Sequence, residues 1–193
     1  MKETVALLLS MASFAPADAR VPTYYIGAGA GRTTLGLASE MEIAPYTFID
    51  AAAPAAFAAP MLYSGVVFLD KYGFEGYYLA PSRRTNHNVV GADSVEGRFE
   101  GLGLAAIYWL GGAHGFSAFA GARVSNYRYY ATALDDGDRA SASEAGFGYG
   151  GMVGFAYKAA PGLSLRVSLA ADNYDGDWLN NAQNLDGGVF WNF

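Results

Sequence analysis

The chain has 193 residues, a length that suits one domain, with a net charge of −6 and only 16% charged residues against about 25% in ordinary soluble domains. The acidic balance argues against nucleic acid, whose phosphates need Lys and Arg, and the absence of Cys excludes disulfides and thiolate metal sites. Beyond residue 19 no apolar run reaches the ~18 residues of a membrane helix; the 25 Gly, 14 Tyr, 12 Phe and 3 Trp are spread in alternation instead, the pattern left by transmembrane strands.

Residues 1–19 read as a secretory signal. Lys2 gives a weak positive start offset by Glu3, Val5 to Ala15 is an apolar run of suitable length, and Ala17-Asp18-Ala19 is an A-x-A cleavage site. A short core helix is the alternative. Export leaves a domain of residues 20–193. The first strand is expected from Thr23 to about Leu37, where Tyr24-Tyr25 precedes Gly27, Gly29 and Gly31 at alternate positions. A phosphate-binding loop is rejected, because no Lys-Ser/Thr pair and no helical pattern follow. Residues 38–60 break the alternation. Ala51 to Pro60 carries no charge and two prolines, and the segment is expected to be a long connection that lies at the outside surface, with folding over the mouth of the strand ring as the alternative.

A second strand is expected over Met61–Asp70, a turn at Asp70-Lys71-Tyr72-Gly73, and a third strand over Phe74–Pro81 with Glu75 facing inward. Residues 81–94, with Arg83, Arg84, Asn86, His87 and Asn88, read as a polar loop. The fourth strand, Val95–Leu110, puts Glu96, Arg98 and Glu100 on one face, taken as the inner one, and Val95, Phe99, Ile107 and Trp109 on the other. Leu102 and Leu104 then fall on the charged face, which suggests a register change near Gly101 or Gly103. After a turn at Gly111–Gly115, the fifth strand (Phe116–Tyr130) carries Arg123 inward. Residues 131–144 read as another polar loop. The sixth strand (Ala145–Lys158) alternates Phe147, Tyr149, Val153, Phe155 and Tyr157 with small residues. Following the turn at 159–162, the seventh places Arg166 and Asp172 opposite Leu163, Leu165, Val167 and Leu169. Residues 174–183 form a last polar loop.

The closing segment runs to the final residue. Leu185, Val189, Trp191 and Phe193 share an apolar face, and Asp186, Gly188, Phe190 and Asn192 share the other. Such a strand, apolar outside and ending on Phe, resembles the closing strand of bacterial outer-membrane barrels, where that ending is an assembly signal. The Tyr-Tyr-Ile-Gly-Ala-Gly opening and the Phe74-Glu75-x-x-Tyr78 hairpin also resemble the OmpA-like eight-stranded barrels. The resemblance implies an all-β, eight-stranded antiparallel transmembrane barrel in the Gram-negative outer membrane, with short periplasmic turns and four longer external loops. The alternation of long and short connections fits it, and closure would satisfy every backbone group without water. The chain stops at the closing strand, so the peptidoglycan-binding role of OmpA itself does not carry over. A soluble β-sandwich is the alternative fold.

Several groups could carry chemistry. The charges assigned inward, Glu75, Glu96, Arg98, Glu100, Arg123, Arg166 and Asp172, are expected to pair across a lumen just wide enough for side chains; a narrow gated ion path is the functional rival. A lipid A-modifying enzyme would need a Ser, a base and an orienting acid together. The chain has two His, His87 and His114, and neither sits in a spacing that demands catalysis. Asp135-Asp136-Gly137-Asp138 could hold calcium that bridges to lipopolysaccharide, but lacks the full loop pattern, and an acidic solvated loop is the alternative. Trp109, Phe116, Tyr157, Trp191, Phe193 and Tyr24 are expected to form one interfacial girdle, and Tyr127, Tyr129, Tyr130, Tyr174 and Trp178 the other. The expected role is envelope structure or surface interaction through the external loops, with no enzyme activity and no cofactor. The expected partners are the lipid bilayer, lipopolysaccharide and the barrel assembly machinery, with the chain a monomer.

Overall fold

A computed structural model describes residues 21–44, 47–50, 53–89, 92–111 and 115–193. The proposed signal sequence and His114 lie outside the described residues. Eight strands close an antiparallel barrel: β1 (Thr23–Leu37), β4 (Ala56–Phe68), β5 (Tyr72–Val89), β6 (Ala92–Gly111), β7 (Phe116–Asp135), β8 (Asp138–Ala160), β9 (Leu163–Tyr174) and β10 (Leu179–Asn192). Each pairs with its sequence neighbour in the ring, and β1 closes on β10, with Ala28 opposite Val189 and Arg32 opposite Leu185. A separate hairpin, β2 (Glu40–Ala44) and β3 (Thr47–Asp50), comes from the Ala/Pro-rich connection.

Period-two alternation decides which way each strand faces. In β9 the buried Arg166, Ser168, Ala170 and Asp172 alternate with exposed Leu165, Val167 and Leu169. All eight strands present exposed apolar side chains in the same band, among them Ile26, Leu62, Phe74, Leu104, Val124, Val153, Val167 and Val189. A continuous apolar belt around a closed barrel is the lipid-facing surface of a transmembrane barrel. At the short-turn end the belt is edged by Tyr24 stacked on Phe193, Tyr72 against Tyr108, and Phe116 against Tyr157.

Three expectations about the connections change. Residues 81–94 and 131–144 are largely strand: β5 pairs with β6 up to Val89 opposite Ala92, and β7 with β8 up to Asp135 opposite Asp138. Polar composition suggested loops there, but a strand that rises out of the membrane can be polar on its outer face. The Ala/Pro-rich segment, in turn, enters the core. Met41, Ala53, Pro54 and Phe57 are buried, and the Tyr129 hydroxyl donates to the Pro54 carbonyl at 3.1 Å. The low charge of that segment is therefore the composition of buried chain.

The register change expected in the fourth strand falls in its neighbour. β6 runs without a break from Ser94 to Trp109 against β7, whereas β5 carries an extra residue between Leu79 and Ser82. Pro81 sits in this bulge, a place in a sheet where a residue without an N–H is tolerated. Unbroken alternation along β6 buries Val95, Gly97, Phe99, Gly103, Ala105 and Ile107 and turns Glu96, Arg98, Glu100, Leu102 and Leu104 outward.

Candidate functional site

The lumen is built where inward positions of four strands carry charge. Arg166 on β9 grips Glu75 on β5 through both terminal nitrogens, one of them at 2.8 Å from Oε1. The Tyr25 hydroxyl donates to the same carboxylate at 2.8 Å. Across the barrel Arg123 on β7 binds Asp172 on β9 in the same two-pronged way, with Nε 2.7 Å from Oδ1. The Tyr174 hydroxyl adds a contact of 3.3 Å. All four charged residues are 2–5% exposed. Buried charges are tolerated only when paired and hydrogen-bonded, and bidentate Arg–carboxylate geometry supplies both.

Aromatic rings fill the space between the pairs. The Arg166 guanidinium lies 4.5 Å from the Phe190 ring centre, 4.9 Å from Tyr63 and 5.1 Å from Phe119, and Arg123 lies 5.1 Å from Tyr77. These rings use the room that inward glycines leave. A Cβ on Gly103 would stand 2.4 Å from the Tyr77 ring, and one on Gly148 would stand 2.3 Å from Tyr174. Inward glycine thus makes room for a cross-strand ring.

Of the seven charges assigned to the lumen, the structure brings four there: Glu75, Arg123, Arg166 and Asp172. Glu96, Arg98 and Glu100 stand on the outer wall. Arg98 pairs with Glu100 at 2.9 Å, and Glu96 lies 3.9 Å from Arg83. The assignment assumed that charge must face inward, which holds only at membrane depth. One lumen acid was missed. Asp186 is 5% exposed and accepts from Tyr63 at 2.7 Å and Ser168 at 2.8 Å. Its position opposite the lipid-facing Leu185 already implied this.

Above the ion pairs the interior changes character. Phe57, Phe99, Tyr127 and Tyr129 meet in a layer with ring centres 6.1–6.4 Å apart, joined by Val95, Leu79, Met41 and Leu179. Tyr127 donates to Glu144 at 2.7 Å, and the same carboxylate accepts the Trp178 backbone N–H at 2.7 Å. That ties the β9–β10 connection to the wall. Burial pushes the Tyr129 hydroxyl above its ordinary pKa. Tyr127, Tyr129 and Tyr174 are therefore core rather than the second girdle that was expected. Trp109, expected in the first girdle, faces inward against Phe119, with ring centres 4.9 Å apart, and the outward position belongs to Tyr108. The described lumen is thus closed at two levels, by ion pairs and by an aromatic layer.

The exterior wall carries the remaining charge. Arg98 and Arg128 flank the Tyr130 ring at 5.2 and 6.0 Å, and Arg83 lies opposite Arg98 in the ladder. At the tip of β7–β8 the Asp136 N–H donates to Asp93 at 3.2 Å. No group of three or more His, Asp or Glu side chains that could hold a metal ion occurs among the described residues.

No curated protein matches the chain. Among solved structures, Neisserial surface protein A is similar over 90% of this chain and 100% of its own, with a TM-score of 0.63 and 18% identity. Ail, the attachment invasion locus protein of Yersinia pestis, is similar over 90% and 100%, with a TM-score of 0.59 and 14% identity. OprG from Pseudomonas aeruginosa gives 90% and 97%, 0.60 and 14%. These likenesses agree on the fold, the small OmpA-like outer-membrane barrel. Residues 71–188, more than half the chain, match the family model described as Opacity family porin protein, and the chain belongs to that outer-membrane barrel family.

Proposed function

We propose that the protein is a non-enzymatic surface-interaction barrel, exported by removal of residues 1–19, whose contact element is the wall that β5–β8 raise above the membrane. The observation that carries this reading is the open edge of β8. Among the described residues, β8 ladders from Asp138 to Gly146 with β7 and with no second strand, and its pairing with β9 starts at Gly148. The hairpin strand β2 comes close to β8 but belongs to a separate sheet.

The two edges of this wall differ. That of β5 is blunted by Pro81, by the bulge, and by Ser82 and Arg84, whose side chains reach the β4 carbonyls of Ala58 and Ala56. That of β8 has no proline and no bulge, and it runs Ala140-Ser141-Ala142-Ser143. An unblunted edge with small side chains is a template for an added strand, and strand addition draws affinity from backbone hydrogen bonds. The partner is an extended segment of another surface protein. The name of Ail, an attachment protein, is in keeping with such a role.

Arg83, Arg98 and Arg128 lie on the outer wall, which supports contact with the phosphates of lipopolysaccharide, and Leu185, Val189, Trp191 and Phe193 form the exposed face of the last strand that the assembly machinery would read. The chain is expected to act as a monomer. A narrow channel is not favoured, since conduction would require breaking the Arg123–Asp172 and Arg166–Glu75 pairs and displacing the aromatic layer.

The deciding experiment shortens the β7–β8 hairpin by removing residues 132–141, which leaves the transmembrane belt intact. The variant should still assemble as a heat-modifiable barrel and should lose adhesion of expressing cells to host-cell or matrix surfaces. Unchanged adhesion, or a change of lipid A mass on expression of the intact protein, would overturn the reading.

A further inference from the structure

The lipid-facing belt is not even. Across β1, β10, β9 and β8 it holds a groove of about 770 Å³ on its outer side. Two neighbouring cross-strand rows shape it. The row Thr34, Gln183, Ala171, Gly151 is small in its second half and forms the floor. The row Arg32, Leu185, Leu169, Val153 forms a wall, whose three apolar members are 52–55% exposed. The β1 end of the groove is polar, with Arg32, Thr34 and Gln183 all exposed, and the β8 end is apolar.

The groove is inclined to the membrane. Arg32 stands eight residues along β1 from Tyr24 in the lower girdle, and Val153 stands four residues along β8 from Tyr157. At about 3.3 Å per residue and a strand tilt of about 40°, Arg32 lies roughly 20 Å above that girdle and Val153 roughly 10 Å. The apolar band of such barrels is about 25 Å tall, so the groove falls from the outer edge of the belt to its middle and spans the outer leaflet alone. Arg32 has no ion pair among the described residues. A cation on a lipid-facing wall is costly unless it reaches water or an anion, and the guanidinium fork matches a phosphate.

We infer that this groove holds an acyl chain of a phosphate-bearing lipid of the outer leaflet, with the phosphate on Arg32. Gln183 and Thr34 donate to the same headgroup, and the chain lies over Ala171 and Gly151 against Leu169 and Val153. In this membrane that lipid is the lipid A part of lipopolysaccharide. A second barrel fits less well, since its apolar belt would leave the Arg32 charge unpaired. The site is separate from the outer-wall arginines and from the open β8 edge, and depends on neither.

The test uses the mature chain refolded in a non-ionic detergent, titrated with lipid A that carries both phosphates and read by native mass spectrometry. One lipid A should be retained saturably. Removing its phosphates should weaken retention about tenfold, as for the loss of one charge-assisted hydrogen bond. Arg32→Gln should weaken the phosphorylated form by the same factor and leave the dephosphorylated form unchanged. Gly151→Leu should abolish retention by filling the floor; the nearest atom to a Cβ there is 3.6 Å away, so the fold accepts the side chain. Gly187→Leu, on the same belt outside the groove and with as much room, should bind like the native chain. All three variants should keep heat-modifiable mobility, so that lost retention reports the site and not misfolding. Equal retention of the two forms of lipid A by the native chain, or full retention by Gly151→Leu, would overturn the inference. So would displacement by inorganic phosphate, which would leave the acyl chain without a part, or a doubled mass in place of bound lipid, which would make the groove a contact between two barrels.

Discussion

The same strands obey opposite rules in their two halves. At membrane depth β9 turns Leu165, Val167 and Leu169 outward and buries Arg166 and Asp172. Beyond the membrane β6 turns Glu96, Arg98 and Glu100 outward and buries Val95 and Phe99. The inversion follows the solvent. Lipid cannot accept charge and water has no affinity for apolar surface, so each half hides what its surroundings reject. Position along the strand therefore decides what an alternating pattern means.

The largest expected effect comes from breaking the polar half. Arg166→Met leaves Glu75 buried beside Tyr25 without its cation, and removing one partner of a buried pair costs about 3–5 kcal/mol. The midpoint for urea unfolding of the refolded barrel in detergent should fall accordingly. The double variant Arg166→Met with Glu75→Leu should recover most of the loss, because no lone charge remains. If the single variant unfolds at the original midpoint, the lumen pair is not what holds this half together.

The apolar half offers a different break. Tyr129→Ala removes a fully buried ring from between Phe57 and the Pro54 carbonyl, and truncating a buried aromatic costs about 3 kcal/mol or more. The loss should be local. Limited proteolysis is expected to cut the raised wall and the 53–57 segment, while the membrane belt keeps its heat-modifiable mobility. Loss of both together would show that the two halves fold as one cooperative unit and would weaken the contrast.

Much of this architecture was readable from the sequence because membrane depth imposes a strict alternation. The first, sixth, seventh and last barrel strands were assigned the faces that they have. In β6 the reading went wrong as a whole: charge was taken to mean lumen, and Glu96, Arg98, Glu100, Ile107 and Trp109 were all turned the wrong way together. Nothing local in Val95–Leu110 tells a strand that leaves the membrane from one that stays within it. That information lies in pairing: β5 and β6 continue together past the belt, and their polar residues alternate. The buried place of Pro54 and Phe57 was equally out of reach, since it depends on Tyr129, far off in sequence. The lumen pairs were legible as inward charges, but their partners were not, because cross-barrel neighbours are set by strand order and shear.

A smaller effect sharpens the comparison of charged pairs. Arg98 and Glu100 form an ion pair of good length, yet it lies on the outer wall in contact with water. Exposed pairs contribute about 1 kcal/mol or less. Arg98→Ala should therefore shift the unfolding midpoint far less than Arg166→Met, although both remove an arginine from a carboxylate. A loss as large as that of the buried pair would mean that the wall is covered by a partner or by lipid headgroups in the state measured.

The smallest effect separates the turns at the two ends. Both β4–β5 and β7–β8 close with consecutive residues at positive φ: Leu69 at 53° and Asp70 at 58° in the first, Asp136 at 47° and Gly137 at 90° in the second. Two such residues define the mirror-image tight turn that suits twisted hairpins. The outer tip has a glycine at one of its two positions and the lower turn has none, so Leu69 pays for a conformation that glycine adopts freely. Leu69→Gly should then raise stability by about 0.5–1 kcal/mol, reduced by the greater freedom glycine gives the unfolded chain. Gly137→Leu should cost a similar amount at the tip. Urea unfolding of the two variants gives both signs in one experiment. If Leu69→Gly destabilises instead, the half-exposed Leu69 side chain must contribute more than its backbone costs. Its exposure at the short-turn end of the belt then makes it an interfacial anchor, an apolar contact that the outer tip, standing in water, has no use for.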